Sequence, residues 1–162
     1  MSATIVVEDG TGKTDSNSYI SEADFGTYAT DRGVTVAGTA AVLLIQAMDY
    51  IEQQNYQGYK QSKEQALLWP RNDVYIDGYY LDTDVIPTLL KDALCEVALG
   101  IDAGNNPLAS LDRTTKREKV GDLEVEYTDG AREQVYLQAA EVKLTKLLAP
   151  GAGGISASVI RV

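Results

Sequence analysis

Three stretches of this chain hold residue types that elsewhere do chemistry. Gly10-Thr11-Gly12-Lys13-Thr14 follows the apolar run Ile5-Val6-Val7 and has the glycines, lysine and hydroxyl of a phosphate-binding loop. Such a loop needs a glycine five positions before its Gly-Lys-Thr, so that backbone N–H groups can wrap the phosphates. That position is Val7, whose branched side chain disfavours positive φ. The lysine must also open a helix, yet Asp15-Ser16-Asn17-Ser18 is a turn-forming run, and Glu8 and Asp9 lie where phosphate would enter. The stretch therefore predicts a surface turn. Asp73, Asp77 and Asp84 mimic the spacing of a calcium loop, but Tyr75 holds the third position and Asp84, not Glu, the twelfth. The carboxylate pairs Asp82 with Asp84, and Glu124 with Glu126, are of a type that does acid–base work, but Glu124 and Glu126 share one face of a strand, the pattern of a solvated face.

The composition narrows the chemistry further. Among 162 residues there is no histidine, which removes the commonest general base and zinc ligand, and the expectation is a protein with no catalytic, cofactor or metal site. One cysteine excludes an internal disulfide, and Cys95 falls on the apolar side of a predicted helix as a buried thiol. No apolar run approaches the ~20 residues of a membrane span, and the start of the chain has no secretory pattern. A net charge of −10 argues against a protein that grips DNA by its phosphates. Arg113 to Lys119 is the one basic patch, with Lys116, Arg117 and Lys119 at its centre.

The elements that position these residues are mostly helical. Ser21 and Asp24 form a capping box, with Ile20 and Phe25 as a hydrophobic staple, for a helix reaching about Arg32 and stopping at Gly33. A second helix from Thr39 turns Ala41, Leu44, Ile45, Met48 and Ile51 inward. Ser62 and Gln65 predict a short helix that Pro70 ends. Asp77-Gly78 between Val74-Tyr75-Ile76 and Tyr79-Tyr80-Leu81 predicts a β-hairpin with a type I′ turn. Pro87 belongs in the first turn of a third helix, capped by Asp84, whose inner stripe is Ile86, Leu90, Ala93, Leu94, Val97 and Ile101. A second hairpin pairs Lys116 to Val120 with Leu123 to Tyr127, and a last helix spans about Arg132 to Leu148.

The fold class is thus mainly α: a small bundle of four principal helices with two short β-hairpins and an extended C-terminal arm. Residues 1–150 form one domain, and 151–162 a glycine hinge and arm. The last eight residues read either as an unstructured tail or as a strand that adds to a neighbouring chain.

Ten tyrosines form an unusual aromatic set, six of them (Tyr50, Tyr56, Tyr59, Tyr75, Tyr79, Tyr80) around Trp69-Pro70-Arg71. Tyrosine stacks on nucleic-acid bases and also dominates protein interfaces; the acidic chain favours the interface. Trp69 reads as a core anchor, with Arg71 free to pair with a nearby aspartate.

The ordered set EDGTG…NSYIS, QALLWPR, DGYYLD, IPTLLKDALCEVAL and KREKVGDLEVEY, from about Val7 to Leu148, resembles the head–tail connector (adaptor, or head-completion) proteins of tailed bacteriophages. Related sequences also carry the label DnaT-like single-stranded-DNA-binding protein. The connector resemblance implies a non-enzymatic virion protein of the phage neck, present in host cytoplasm during assembly. It would form a ring of about twelve subunits between the portal and a tail-proximal protein. DNA would pass its acidic channel without tight binding.

A ring needs two different sticky patches. The expected ones are Trp69, Arg71, Tyr75, Tyr79 and Tyr80, against Lys116, Arg117 and Lys119 or the arm residues Ile155, Val159, Ile160 and Val162. The alternative is a single-strand-binding or replication accessory protein that uses the basic patch and nearby tyrosines. Its affinity would fall as salt rises.

Overall fold

A computed structural model of the chain describes residues 4–109, 117–120, 123–126, 135 and 137–151. Its first helix, α1 (Glu22–Asp31), starts where the side chains dictate: Ser21 Oγ accepts the Asp24 N–H at 3.1 Å and donates to the Asp24 carboxylate at 2.7 Å. Ile20 and Phe25 are both buried, as a staple requires, and Gly33 at φ +68° turns the chain away. The second helix, α2 (Ala40–Ile51), buries Ala41, Leu43, Leu44, Ala47, Met48 and Ile51. Ile45, expected on that face, is only half-buried, because the true stripe is centred nearer Leu44 and Ala47.

Between α2 and the third helix lie two small antiparallel ladders. β1 (Tyr59–Lys60) pairs with β2 (Arg71–Asn72), and β3 (Tyr75–Ile76) pairs with β4 (Tyr79–Tyr80). The second is the expected hairpin, with Asp77 at φ +51° and Gly78 at φ +96° in its turn. The first has no signal in the sequence. Across residues 61–68 the predicted short helix is absent. Gln65 supplies half of the capping box, taking the Ser62 N–H at 2.9 Å, but its amide nitrogen then donates to the carbonyls of Leu67 and Pro70. A side chain that binds the backbone on both sides of itself fixes an irregular loop instead of a helix. The Trp69–Pro70 peptide in this loop is cis.

The third helix, α3 (Thr88–Asp102), packs on α2 and carries the expected stripe, with Ile86, Leu90, Ala93, Leu94 and Val97 buried and Ile101 half-buried. Pro87 stands at the cap position and not inside the first turn, and Asp84 makes no capping bond. The proline ring already holds the chain at φ −59°, and its carbonyl takes the Leu90 N–H at 3.0 Å.

The expected second hairpin follows as β5 (Arg117–Val120) with β6 (Leu123–Glu126). The fourth helix, α4 (Gln138–Thr145), packs on α3 but is shorter than expected at both ends. Leu137 is non-helical and seats over Gly100, where an added Cβ would come within 2.8 Å of its Cδ2. At the other end, residues 147–149 leave the helix to bond with residues 55–57: Gln57 N–H to Leu147 O at 3.0 Å, and Ala149 N–H to Asn55 O at 2.9 Å. The architecture is therefore the mainly helical one expected, with a third strand pair added. The C-terminal arm lies outside the described residues.

Cys95 sits in this core at 3% exposure, and burial, with Asp92 nearby, pushes its thiol up to about 12. At pH 8 only about one thiol in ten thousand is then thiolate. The native protein is expected to resist iodoacetamide for hours and to react fully in urea. Equal rates in both conditions would contradict this burial.

Candidate functional site

The glycine loop is not a bare surface turn. Glu8 is buried at 1% exposure, and its carboxylate gathers four donors. Oε1 accepts the N–H groups of Gly10 and Gly12 at 2.9 Å each; Oε2 accepts Lys13 N–H at 2.7 Å and the Ser16 hydroxyl at 3.1 Å. Converging backbone N–H groups make an anion nest, and here the occupant is the chain's own carboxylate. Lys13 Nζ points elsewhere, to Val7 O at 2.8 Å and to Asp9 at 2.9 Å. The Thr11 hydroxyl and Lys13 together lower the Asp9 carboxyl to about 2. A nucleotide phosphate would find these four donors and the lysine already engaged.

Trp69 and Arg71 are placed inside the molecule, which corrects their expected part in a surface patch. Trp69 is fully buried, edge-on to Tyr56 with ring centroids 5.5 Å apart, so the core-anchor reading holds. The Trp69 backbone N–H donates to the Tyr19 hydroxyl at 3.1 Å; that hydroxyl donates to Glu52, which also takes the Leu68 N–H at 2.7 Å. Burial raises the Glu52 carboxyl above its ordinary range, against the opposing pull of these hydrogen bonds. Among the described residues Arg71 pairs with no aspartate. Its guanidinium donates to four carbonyls: Gln57 at 2.6 Å, Gly58 at 2.7 Å, Leu68 at 3.3 Å and Tyr56 at 3.4 Å. The chemistry of each side chain accounts for its placement: Trp69 offers a large ring to the core, and Arg71 satisfies loop carbonyls at the core's edge.

The three tyrosines of the expected patch stand outside. Tyr75, Tyr79 and Tyr80 are 51%, 78% and 74% exposed. Tyr75 and Tyr80 are register partners and share one face of the hairpin, with their rings edge-on at 5.1 Å; Tyr79 opposes Ile76 on the other. Fully buried Val74 anchors the hairpin, its carbonyl taking the Leu81 N–H at 2.9 Å. The Gln57 side chain ties the hairpin to the end of α4: Oε1 accepts Tyr75 N–H at 3.3 Å, and Nε2 donates to Lys146 O at 2.9 Å. Lys146 Nζ then reaches Asp77 in the turn, 2.9 and 3.3 Å from its two oxygens. Two exposed aromatic rings on a braced hairpin form a platform on which planar groups can stack.

A family model described as "Putative DnaT-like ssDNA binding protein" matches residues 3–162. The chain belongs to this family. No curated protein and no solved structure matches it. Membership in the DnaT-like family overturns the expected identity as a phage neck connector, because the matching description is the alternative of the two readings. The resemblance had rested on an ordered set of short segments, none chemically diagnostic, shared by sequences that carry either label. The expected ring, portal contact and tail contact lose their support with it.

Only part of the basic patch of this DnaT-like chain lies among the described residues. Register sets Arg117 opposite Glu126 and Lys119 opposite Glu124 along the β5–β6 ladder. Lys116 and the arm residues Ile155, Val159, Ile160 and Val162 lie outside the described residues. Sequence reasoning missed Lys146 and Gln57. No local pattern marks them, since Lys146 meets a carboxylate 69 positions away.

Proposed function

We propose that this chain binds single-stranded DNA, stacking bases on the Tyr75–Tyr80 face of the β3–β4 hairpin, and that it does no chemistry of its own. The family description supports the ligand; the exposed register pair of tyrosines supports the place. A single strand suits it better than a duplex, because only unpaired bases offer a free face to an aromatic ring. With a net charge of −10 the protein draws phosphates weakly, so stacking supplies most of the affinity. Its salt dependence is accordingly shallow for a single-strand binder.

The test is fluorescence anisotropy of a labelled oligothymidylate. Both tyrosines are exposed, so their replacement leaves the core intact. Stacking is worth about 1–3 kcal/mol per base, so Tyr75→Ala and Tyr80→Ala are each expected to weaken binding about tenfold or more. Phenylalanine at either position should retain most of the affinity, and a duplex of equal length should bind poorly. Unchanged affinity in the double alanine variant would overturn the reading.

A further inference from the structure

Resting on that reading, we propose that Lys146 supplies a phosphate contact of the interface and that Asp77 holds it there until DNA arrives. Binding then exchanges one partner for another: the ammonium leaves the aspartate for a phosphodiester oxygen beside the stacked bases.

Three observations carry this. First, Lys146 is held against the platform. One amide, that of Gln57, bonds to both the Tyr75 N–H and the Lys146 carbonyl. The base of the lysine and the base of the tyrosine therefore share a bracket. Second, the ion pair is open to water, with side chains 52% and 68% exposed. An exposed pair contributes little to stability, so a phosphate can displace the carboxylate at small cost. Lys143, three residues earlier, is by contrast committed to half-buried Glu96 at 3.2 Å, which also takes the Tyr28 hydroxyl. Third, the turn does not need the charge of Asp77. The type I′ turn asks for a residue that tolerates φ near +51°, and asparagine does so at least as well. The carboxylate is thus a separable feature, placed on the hairpin that carries the exposed Tyr75–Tyr80 pair.

The exchange is tested by titrating labelled oligothymidylate at several salt concentrations into wild type, Lys146→Gln, Asp77→Asn and Lys63→Gln. Lys63 is an exposed lysine beside Glu64 and serves as the control for losing one charge anywhere. One phosphate contact contributes about 0.7 to the slope of log affinity on log salt for a single strand. Lys146→Gln is expected to flatten the slope by that amount, which is about fivefold weaker binding at 0.1 M relative to 1 M salt. Asp77→Asn is expected to tighten binding by about two- to fivefold, because the lysine is freed and a like charge leaves the phosphate path. Lys63→Gln should leave the slope as it is.

If Lys146→Gln changes no more than Lys63→Gln, or if Asp77→Asn fails to tighten binding, the exchange is wrong. The tyrosine variants, run alongside, separate this from the parent reading. Loss of affinity in Tyr75→Ala and Tyr80→Ala with silent Lys146→Gln sinks the exchange alone. No binding by wild type sinks both.

Discussion

Replacing Glu8 with alanine is expected to lower the unfolding free energy by about 3–5 kcal/mol, among the largest losses available to one substitution here. The carboxylate is 1% exposed and accepts from three backbone N–H groups and one hydroxyl. Truncation leaves those donors facing an empty pocket, and buried donors without partners forfeit their desolvation cost in full. The damage spreads beyond the loop. Gly10 lies so close to Asp84 that an added Cβ would come within 1.8 Å of its carbonyl oxygen, and Lys13 O takes the Ala66 N–H at 2.8 Å. The loop thus braces both the approach to α3 and the segment before Trp69.

The loss is read from urea unfolding followed by the fluorescence of Trp69, the single tryptophan. Glu8→Gln should recover part of it, since its carbonyl can still take two N–H groups while its amide meets donors on the other side. Formate can enter the vacated nest and should partly restore Glu8→Ala without helping wild type. A loss under 1 kcal/mol would mean that the nest is dispensable.

Arg71→Met is expected to cost a similar amount, about 3–5 kcal/mol, and to loosen the tyrosine platform as well. Methionine keeps much of the apolar stem, so the loss isolates the guanidinium. Four carbonyls then lose their donor, those of Gln57, Gly58, Tyr56 and Leu68. The arginine staples two passages of chain that meet at β1 and β2, just before the hairpin begins. Burial pushes its pKa down from the ordinary arginine range, against the opposing pull of Tyr19, Tyr56 and Glu52. Arg71→Lys should recover little, because an ammonium cannot reproduce the planar fork. Hydrogen exchange is the second readout: amides of Tyr59, Asn72 and Leu81 should exchange faster in Arg71→Met while those within α3 hold their protection relative to global unfolding. Uniform acceleration throughout, or none, would contradict the staple.

How much of this was legible depended on the reach of each interaction. Ser21 and Asp24 are three residues apart, and the start of α1 fell where they put it. Asp77-Gly78 sits between two alternating runs, and the turn formed there with the expected positive φ angles. The apolar stripe of α3 read correctly because helical periodicity is itself a local property. Ser62 and Gln65 had the same kind of local signature and misled, because the Gln65 side chain bonds the Ser62 N–H before it and the Leu67 and Pro70 carbonyls after it. Arg71 looked like a surface charge among aspartates; only the folded loop brings four carbonyls to it.

By itself, then, the sequence determined where most helices begin, where the Asp77-Gly78 hairpin turns, which strands pair in the second hairpin, that the glycine loop could not hold a nucleotide, and that aromatic rings crowd one stretch of chain. Each follows from contacts within a turn or two, or from composition. Tertiary structure decided which tyrosines face water and which face the core, that Glu8 closes its own nest, and that α4 ends where residues 147–149 pair with 55–57. It also decided that Lys146 stands beside Asp77. Burial and long-range pairing depend on the whole chain closing on itself, and no short window of residues carries that information.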